Sequence, residues 1–100
     1  LREAKRLDLL AEVARRYLDA TAATALAALT RDDLAQREQL VAAATARRKA
    51  GIEQSSAPLA AEAARLRVAA ELNRTVQAAS HARRRLAVLW GGTGADFDLA

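Results

Sequence analysis

The sequence contains no cysteine and no methionine, only one proline, four glycines and three aromatic residues. Without cysteine, the chain has neither a disulfide framework nor a thiolate for catalysis or metal binding. It also lacks any apolar run of the roughly 18 residues that a membrane-spanning helix requires. Because helix breakers are so scarce, long stretches of the chain favour uninterrupted helix. We therefore expect an all-α fold in which no helix crosses a bilayer.

Alanine dominates what is present, with 28 of the 100 residues. Alanine favours helix but buries little apolar area, and burial contributes only about 25 cal/mol per Å². A compact core built from it would be thin, so we expect support from helix length, self-association or a larger parent protein. The chain opens at Leu1 in the middle of a helical pattern, which indicates a single-domain segment, residues 1–100, of a longer protein.

The clearest local signal is a bend between residues 47 and 58. Gly51 follows a basic turn, as expected at a helix C-terminus, and Ser55 or Ser56 before Pro58 is typical of a helix start. The sequence thus predicts a long antiparallel helical hairpin, a coiled coil with helices at about 2–50 and 58–90. The tip would occupy about 50–57, and an exit segment 91–100.

A break near Thr30 is the alternative for the first helix. Thr30 with Asp33 three residues later fits a capping box, which would restart the helix and give a three-helix bundle. No glycine or proline forces that break, and we favour one continuous helix.

Apolar residues step by three and four along both predicted helices, and such spacing marks one helical face. In the first helix the predicted apolar face begins with Leu7, Leu10, Ala14, Tyr17, Thr21, Ala25 and Ala28, with Glu12 and Arg16 among the residues opposite. It continues to the bend with Leu34, Leu40, Val41, Ala44 and Thr45. In the second helix they are Leu59, Ala63, Leu66 and Ala70, leading into Val68, Leu72, Val76, Ala79, Ala82, Leu86 and Leu89. Steps averaging 3.5 residues favour a left-handed coiled coil.

Several segments resemble TolC-type outer-membrane efflux proteins, in order and spacing. Residues 7–19 are similar to the start of that family's descending helix. Arg47 with Ala50-Gly51 resembles the R-x-x-A-G of its periplasmic tip, and residues 58–68 resemble the start of the returning helix. The Leu-Trp-Gly at residues 89–91, followed by Asp96-Phe97, is most similar to the metal-cation efflux branch, the CzcC-like proteins.

The resemblance implies a homotrimeric exit duct of a tripartite pump that exports metal cations or drugs. This chain would be one hairpin of its periplasmic α-barrel wall, in the periplasmic part of a Gram-negative outer-membrane protein. Its tip would dock a periplasmic adaptor protein and, through it, an inner-membrane transporter. The implied partner-binding residues are Arg47, Ala50, Gly51 and Ile52.

Two alternatives remain open at this point. The chain could be the hairpin of the adaptor itself, or a basic helical bundle that binds nucleic acid through the triplets at residues 47–49 and 83–85. Neither triplet has aromatic stacking groups beside it. His81 is the only histidine and has no nearby ligand at metal-binding spacing. We expect no catalytic, cofactor or metal site, and no enzyme activity.

Overall fold

The computed structural model describes residues 2–52 and 54–89, and this part of the chain is all-α. Helix α1 spans Arg2–Lys49 and helix α2 spans Ala57–Val88, so the predicted boundaries were within two residues. A short turn joins them into a long helical hairpin. Trp90 and the predicted exit segment 91–100, with the glycines and the Asp-Phe motif, lie outside the described residues.

Helix α1 continues without interruption through Thr30, so the predicted continuous helix is confirmed and the three-helix alternative is wrong. Thr30 lies in the interior of α1 and is only 8% exposed, whereas an N-cap residue has a non-helical backbone at a helix start. No glycine or proline occurs between residues 2 and 49, so nothing in the sequence interrupts the backbone hydrogen bonds. Neither helix has the long apolar stretch that spanning a membrane requires, within the described residues.

The hairpin divides into two compact units, of which the first combines Leu1–Ala27 with Thr75–Ala100. Its buried side chains are almost all small: Ala20, Ala27, Ala79 and Ala87, with Thr75 and Leu86. Buried or half-buried positions recur at steps of three and four residues. On α1 they are Val13, Arg16, Ala20, Ala23 and Ala27, and on α2 Thr75, Ala79, Ala82, Leu86 and Leu89. This spacing of 3.5 residues is the repeat of paired helices.

The second unit, Ala28–Arg74, contains the turn and has larger side chains along the same repeat. The buried or half-buried positions on α1 are Thr30, Leu34, Arg37, Val41 and Ala44, and on α2 Pro58, Ala61, Arg65, Val68 and Leu72. Two of these are arginines, each held by an acid one turn away. Arg37 Nε lies 3.4 Å from Asp33 Oδ1, and Arg65 Nε donates to Glu62 Oε1 at 3.0 Å.

The buried face predicted for α1 between residues 7 and 28 is wrong. Leu7 is 66% exposed, and all members of that predicted stripe except Thr21 are exposed. Most of the observed packing positions precede a predicted position by one residue in the sequence. As a result Glu12 and Arg16, which were predicted to lie opposite the buried face, are half-buried. In the second half of the hairpin, one predicted series is confirmed as buried or half-buried: Val68, Leu72, Val76, Ala79, Ala82, Leu86 and Leu89. The other predicted positions are exposed: Leu59, Ala63, Leu66 and Ala70. Each helix thus carries an apolar stripe that the hairpin does not cover.

One polar contact joins the two helices within the first unit. Arg16 donates from Nε to Glu12 on its own helix at 2.7 Å, and from a terminal nitrogen to the carbonyl oxygen of Arg85 on α2 at 2.8 Å. Glu12 also accepts a hydrogen bond from Arg15. The hydrogen bonds from Arg15 and then Arg16 lower the pKa of Glu12 from 4.5 to about 2. Ionised Glu12 therefore helps to hold Arg16 in place for its contact with α2.

Replacing Leu86 by alanine should destabilise the hairpin by about 2–4 kcal/mol, because Leu86 is the largest fully buried side chain in the described chain. Val88→Ala is the matched control two residues away, since Val88 is 65% exposed; it should change the free energy of unfolding by less than about 0.5 kcal/mol. Denaturant unfolding followed by circular dichroism measures both. Equal losses in the two variants would contradict the assigned packing face.

The stability of the chain should fall as the pH drops from about 4.5 towards 2. Glu12 has a lower pKa folded than unfolded, so its stabilising contribution is complete above the unfolded value and is lost on protonation. The pKa of Glu62 is lowered too, through its hydrogen bond with Arg65. Glu12→Gln should therefore flatten this slope only in part. Thermal unfolding of the parent and the variant at a series of pH values tests this, and equal slopes would contradict the role of Glu12.

Candidate functional site: the hairpin tip

The C-terminus of α1 is closed by a Schellman motif, which the backbone hydrogen bonds define. The amide of Ile52 donates to the carbonyl oxygen of Arg47 at 2.9 Å, and the amide of Gly51 donates to that of Arg48 at 3.0 Å. This pattern satisfies carbonyl groups that the end of a helix would otherwise leave without partners. The basic turn and the glycine at residues 47–51 thus form the C-terminal end of α1, as the sequence predicted.

Gly51 provides the left-handed backbone conformation on which this motif depends. Its φ is 75°, a region that residues with a Cβ rarely adopt, and no other described residue has a positive φ. A Cβ added at Gly51 would have no atom within 4 Å. The glycine is therefore required by the backbone angle, and the space around it is open.

Ile52 follows the cap and points its side chain into solvent, with 75% of its surface exposed. In most Schellman motifs an apolar residue at this position packs back onto the last helical turn. In this motif the residue of the last turn that corresponds to Ile52 is Arg47, whose charged side chain is not an aliphatic packing partner. The tip consequently presents a branched aliphatic side chain at the end of the hairpin.

Helix α2 begins with Ser56 as its N-cap residue. The carbonyl oxygen of Ser56 accepts the first helical hydrogen bond, from the amide of Ala60 at 3.1 Å. Ala57 and Pro58 then occupy the first turn, where proline's missing N–H costs nothing. The tip is thus bounded by the Schellman motif at the end of α1 and by Ser56 at the start of α2.

Positive charge is concentrated at this end of the second unit. Arg47, Arg48 and Lys49 form the last turn of α1 and are all exposed. No acid occurs between residues 39 and 52 or between residues 54 and 61. Cations at a helix C-terminus also interact favourably with the helix dipole. That effect accounts for their local stability and leaves most of their charge available to a partner.

The second basic triplet, at residues 83–85, does not form a comparable surface. The side chain of Arg83 is half-buried, and its Nε is without a hydrogen-bond partner in the described chain. Arg84 donates to Ser80 at 2.9 Å, and only Arg85 lies in the last turn of α2. Arg83 and Arg84 therefore lie before the last turn of α2, whereas Arg47, Arg48 and Lys49 all belong to the last turn of α1.

His81 lines a shallow hollow of about 50 Å³ in the first unit, together with Arg16, Asp19, Ala82 and Arg85. Two arginines and one acid make this hollow a poor cation site, because metal ions need several neutral or anionic ligands. No group of three potential metal-ligating side chains occurs among residues 2–52 and 54–89.

Exposed apolar side chains also follow each helix away from the tip. On α1 of the first unit they include Leu7, Leu10 and Tyr17, and on α2 of the second unit Leu59 and Leu66. Neighbouring members of each stripe are three or seven residues apart, so they lie on the same side of their helix. Each such stripe is therefore the kind of surface that can pack against a further helix.

Comparison with models of known protein families, with characterised proteins and with solved structures returns no match for this chain. The resemblance to TolC-type proteins therefore stays a prediction. All four residues that the resemblance implies for the tip, Arg47, Ala50, Gly51 and Ile52, lie together in the last turn of α1 and the loop after it, and all are exposed. Sequence reasoning missed the uncovered stripes, because it took both of them for packing faces.

Gly51→Ala should destabilise the hairpin by about 1–2 kcal/mol, the usual cost of a left-handed backbone for a residue with a Cβ. Gly51→Asn should cost less, because asparagine tolerates this conformation better. Thermal or denaturant unfolding gives both values. An alanine variant as stable as the parent would show that the Schellman motif does not hold in solution.

Proposed function

We propose that this chain is a wall hairpin of a tripartite efflux pump's outer-membrane exit duct and that its tip docks a periplasmic adaptor protein. The observation that carries the proposal is the tip itself. Gly51 ends α1 without side-chain bulk, and Ile52 projects beyond it, exposed. A narrow end with one projecting apolar group can interlock with the end of another helical hairpin.

The uncovered stripes support the second part of the role, the duct wall. A hairpin that buries one face between its own helices and exposes a further apolar stripe on each helix can pack sideways against neighbours. Three copies in a closed homotrimer would cover these stripes all round, because cyclic symmetry leaves no terminal surface. Leu7 and Leu10 on α1, with Leu59 and Leu66 on α2, would lie in those lateral contacts.

The function of such a segment is mechanical. Paired helices provide a stiff wall for a channel, and the capped turn provides a docking point; neither task needs a catalytic group or a bound cofactor. The hairpin would lie in the periplasm, with the membrane-embedded part of the duct formed elsewhere in the protein. The exported substrate, metal cations or drugs, would be selected mainly by the inner-membrane transporter.

Crosslinking from the tip tests this proposal. Because the chain has no cysteine of its own, Ile52→Cys adds a single thiol at the end of the hairpin in this chain. Position 52 is preferable to Gly51, where a new side chain would strain the cap. In cells that assemble the pump, a thiol-attached photocrosslinker at this position should capture the hairpin tip of the adaptor.

Gln77→Cys is the matched control, since Gln77 is exposed on α2 and far along the chain from the turn. It should give no adaptor crosslink. Adaptor capture from Gln77 and not from Ile52, or from neither position, would contradict the proposal. Capture of an outer-membrane duct protein from Ile52 would instead favour the alternative that this chain is the adaptor's hairpin.

A further inference from the structure

The tip combines two features that a docking partner must match. Ile52 is an exposed apolar group, and three cations precede it in the sequence. Successive residues of a helix are rotated by about 100° around its axis. Arg47, Arg48 and Lys49 therefore project in different directions around the end of α1. The result is an apolar projection next to a collar of positive charge, an arrangement typical of an interface centre and its rim.

Among the described residues, no acid of the two helices pairs with Arg48 or Lys49. The nearest acids along the described chain are Glu38 on α1 and Glu62 on α2. Glu62 is bonded to Arg65, and Glu38 interacts electrostatically with the same arginine. Ten residues of helix separate Glu38 from Arg48, about 15 Å. That distance exceeds the screening length of about 8 Å in physiological salt.

Two local sources of negative charge reduce the collar's charge without removing it. Glu53, counted from the sequence alone, brings the net charge of residues 47–53 to +2. The C-terminal end of a helix contributes about half a negative charge. Arg48 and Lys49 have no ion pair among the described residues, so both can bind an external anionic group.

The size of the collar favours carboxylates over phosphate surfaces. Nucleic-acid binding proteins commonly make about six to ten phosphate contacts, and membrane-surface segments use clusters of about four to eight basic residues. The tip has three basic residues and no aromatic side chain between residues 39 and 61. A protein with a few acidic side chains around an apolar hollow matches both its charge and its shape.

We propose that the tip seats Ile52 in an apolar hollow ringed by Asp or Glu side chains on the partner's hairpin end, and that Arg48 and Lys49 select this partner by charge. The inference rests on the proposed docking function and adds the chemistry of the opposing surface. Exposed charge pairs at an interface rim act chiefly on encounter rate and on discrimination between partners. The contact is consequently salt-sensitive.

The experiment uses the full-length protein with a photoreactive amino acid at Ile52, in membranes that contain the assembled pump. The crosslinked adaptor peptide is then sequenced. We expect two or more acidic residues within one helical turn or loop of the crosslinked position. The double variant Arg48→Glu, Lys49→Glu should reduce the crosslink yield by about tenfold at about 50 mM salt and by much less at about 500 mM.

Two matched variants separate charge selection from damage to the fold. Arg48→Lys keeps the charge and should keep the yield, and Arg31→Glu reverses an exposed charge elsewhere on α1 and should have no effect. Replacing the identified acids of the adaptor by lysine should restore crosslinking to the double Glu variant. A variant that had merely unfolded at the tip would not be rescued in this way.

The outcomes distinguish a failure of charge selection by Arg48 and Lys49 from a failure of adaptor docking itself. An adaptor crosslink to a segment without acids, or a yield unaffected by charge reversal at low salt, overturns the charge selection and leaves docking intact. Crosslinking of Ile52 to phospholipid or nucleic acid overturns both, as does a complete lack of adaptor crosslinking in the unmutated tip.

Discussion

Small side chains on the packing face are the constraint on which helix pairing depends in the first unit. Ala20, Ala23 and Ala27 on α1, and Ala79 and Ala82 on α2, bury little area each. Their value is geometric, because they allow two helix backbones to approach closely and bring long rows of backbone and Cβ atoms into contact. A single larger side chain, Leu86, is the largest fully buried one among the described residues. Stability therefore comes from the length of the repeat more than from any one residue.

In the second unit, the same repeat of packing positions includes charged side chains. Arg37 and Arg65 occupy packing-face positions where most paired helices carry an aliphatic residue. Each arginine lays its methylene groups along the face and keeps its guanidinium on an acid of its own helix. Polar groups at such positions can favour one register over others at some cost in stability. Glu62, which satisfies Arg65, is also one of the two described acids nearest to the tip along the chain.

Helix boundaries could be predicted from the sequence because specific residues encode them. Gly51 supplies a backbone angle, Ser56 accepts the first helical hydrogen bond of α2, and no breaker interrupts residues 2–49. The packing face of α1 in the second unit was predicted in large part, since Leu34, Val41, Ala44 and Thr45 are buried or half-buried. In the first unit it could not be predicted, because two apolar stripes lie one residue apart and the one with Leu7 and Leu10 is exposed. The tip could be placed from Gly51, whereas the exposure of Ile52 emerges only from the cap geometry.

Every residue from Arg2 to Ala11 is exposed, so the first turns of α1 are helical with little help from tertiary packing. An isolated helix shorter than about 12–15 residues is marginal in water even with good helix formers. Amide protons in this stretch should accordingly exchange with deuterated solvent well before those around Ala20 and Leu86. The hairpin thus has a gradient of local stability along α1, with its least protected amides at the start of that helix. Slower exchange there on assembly would locate the residues that a neighbouring subunit covers.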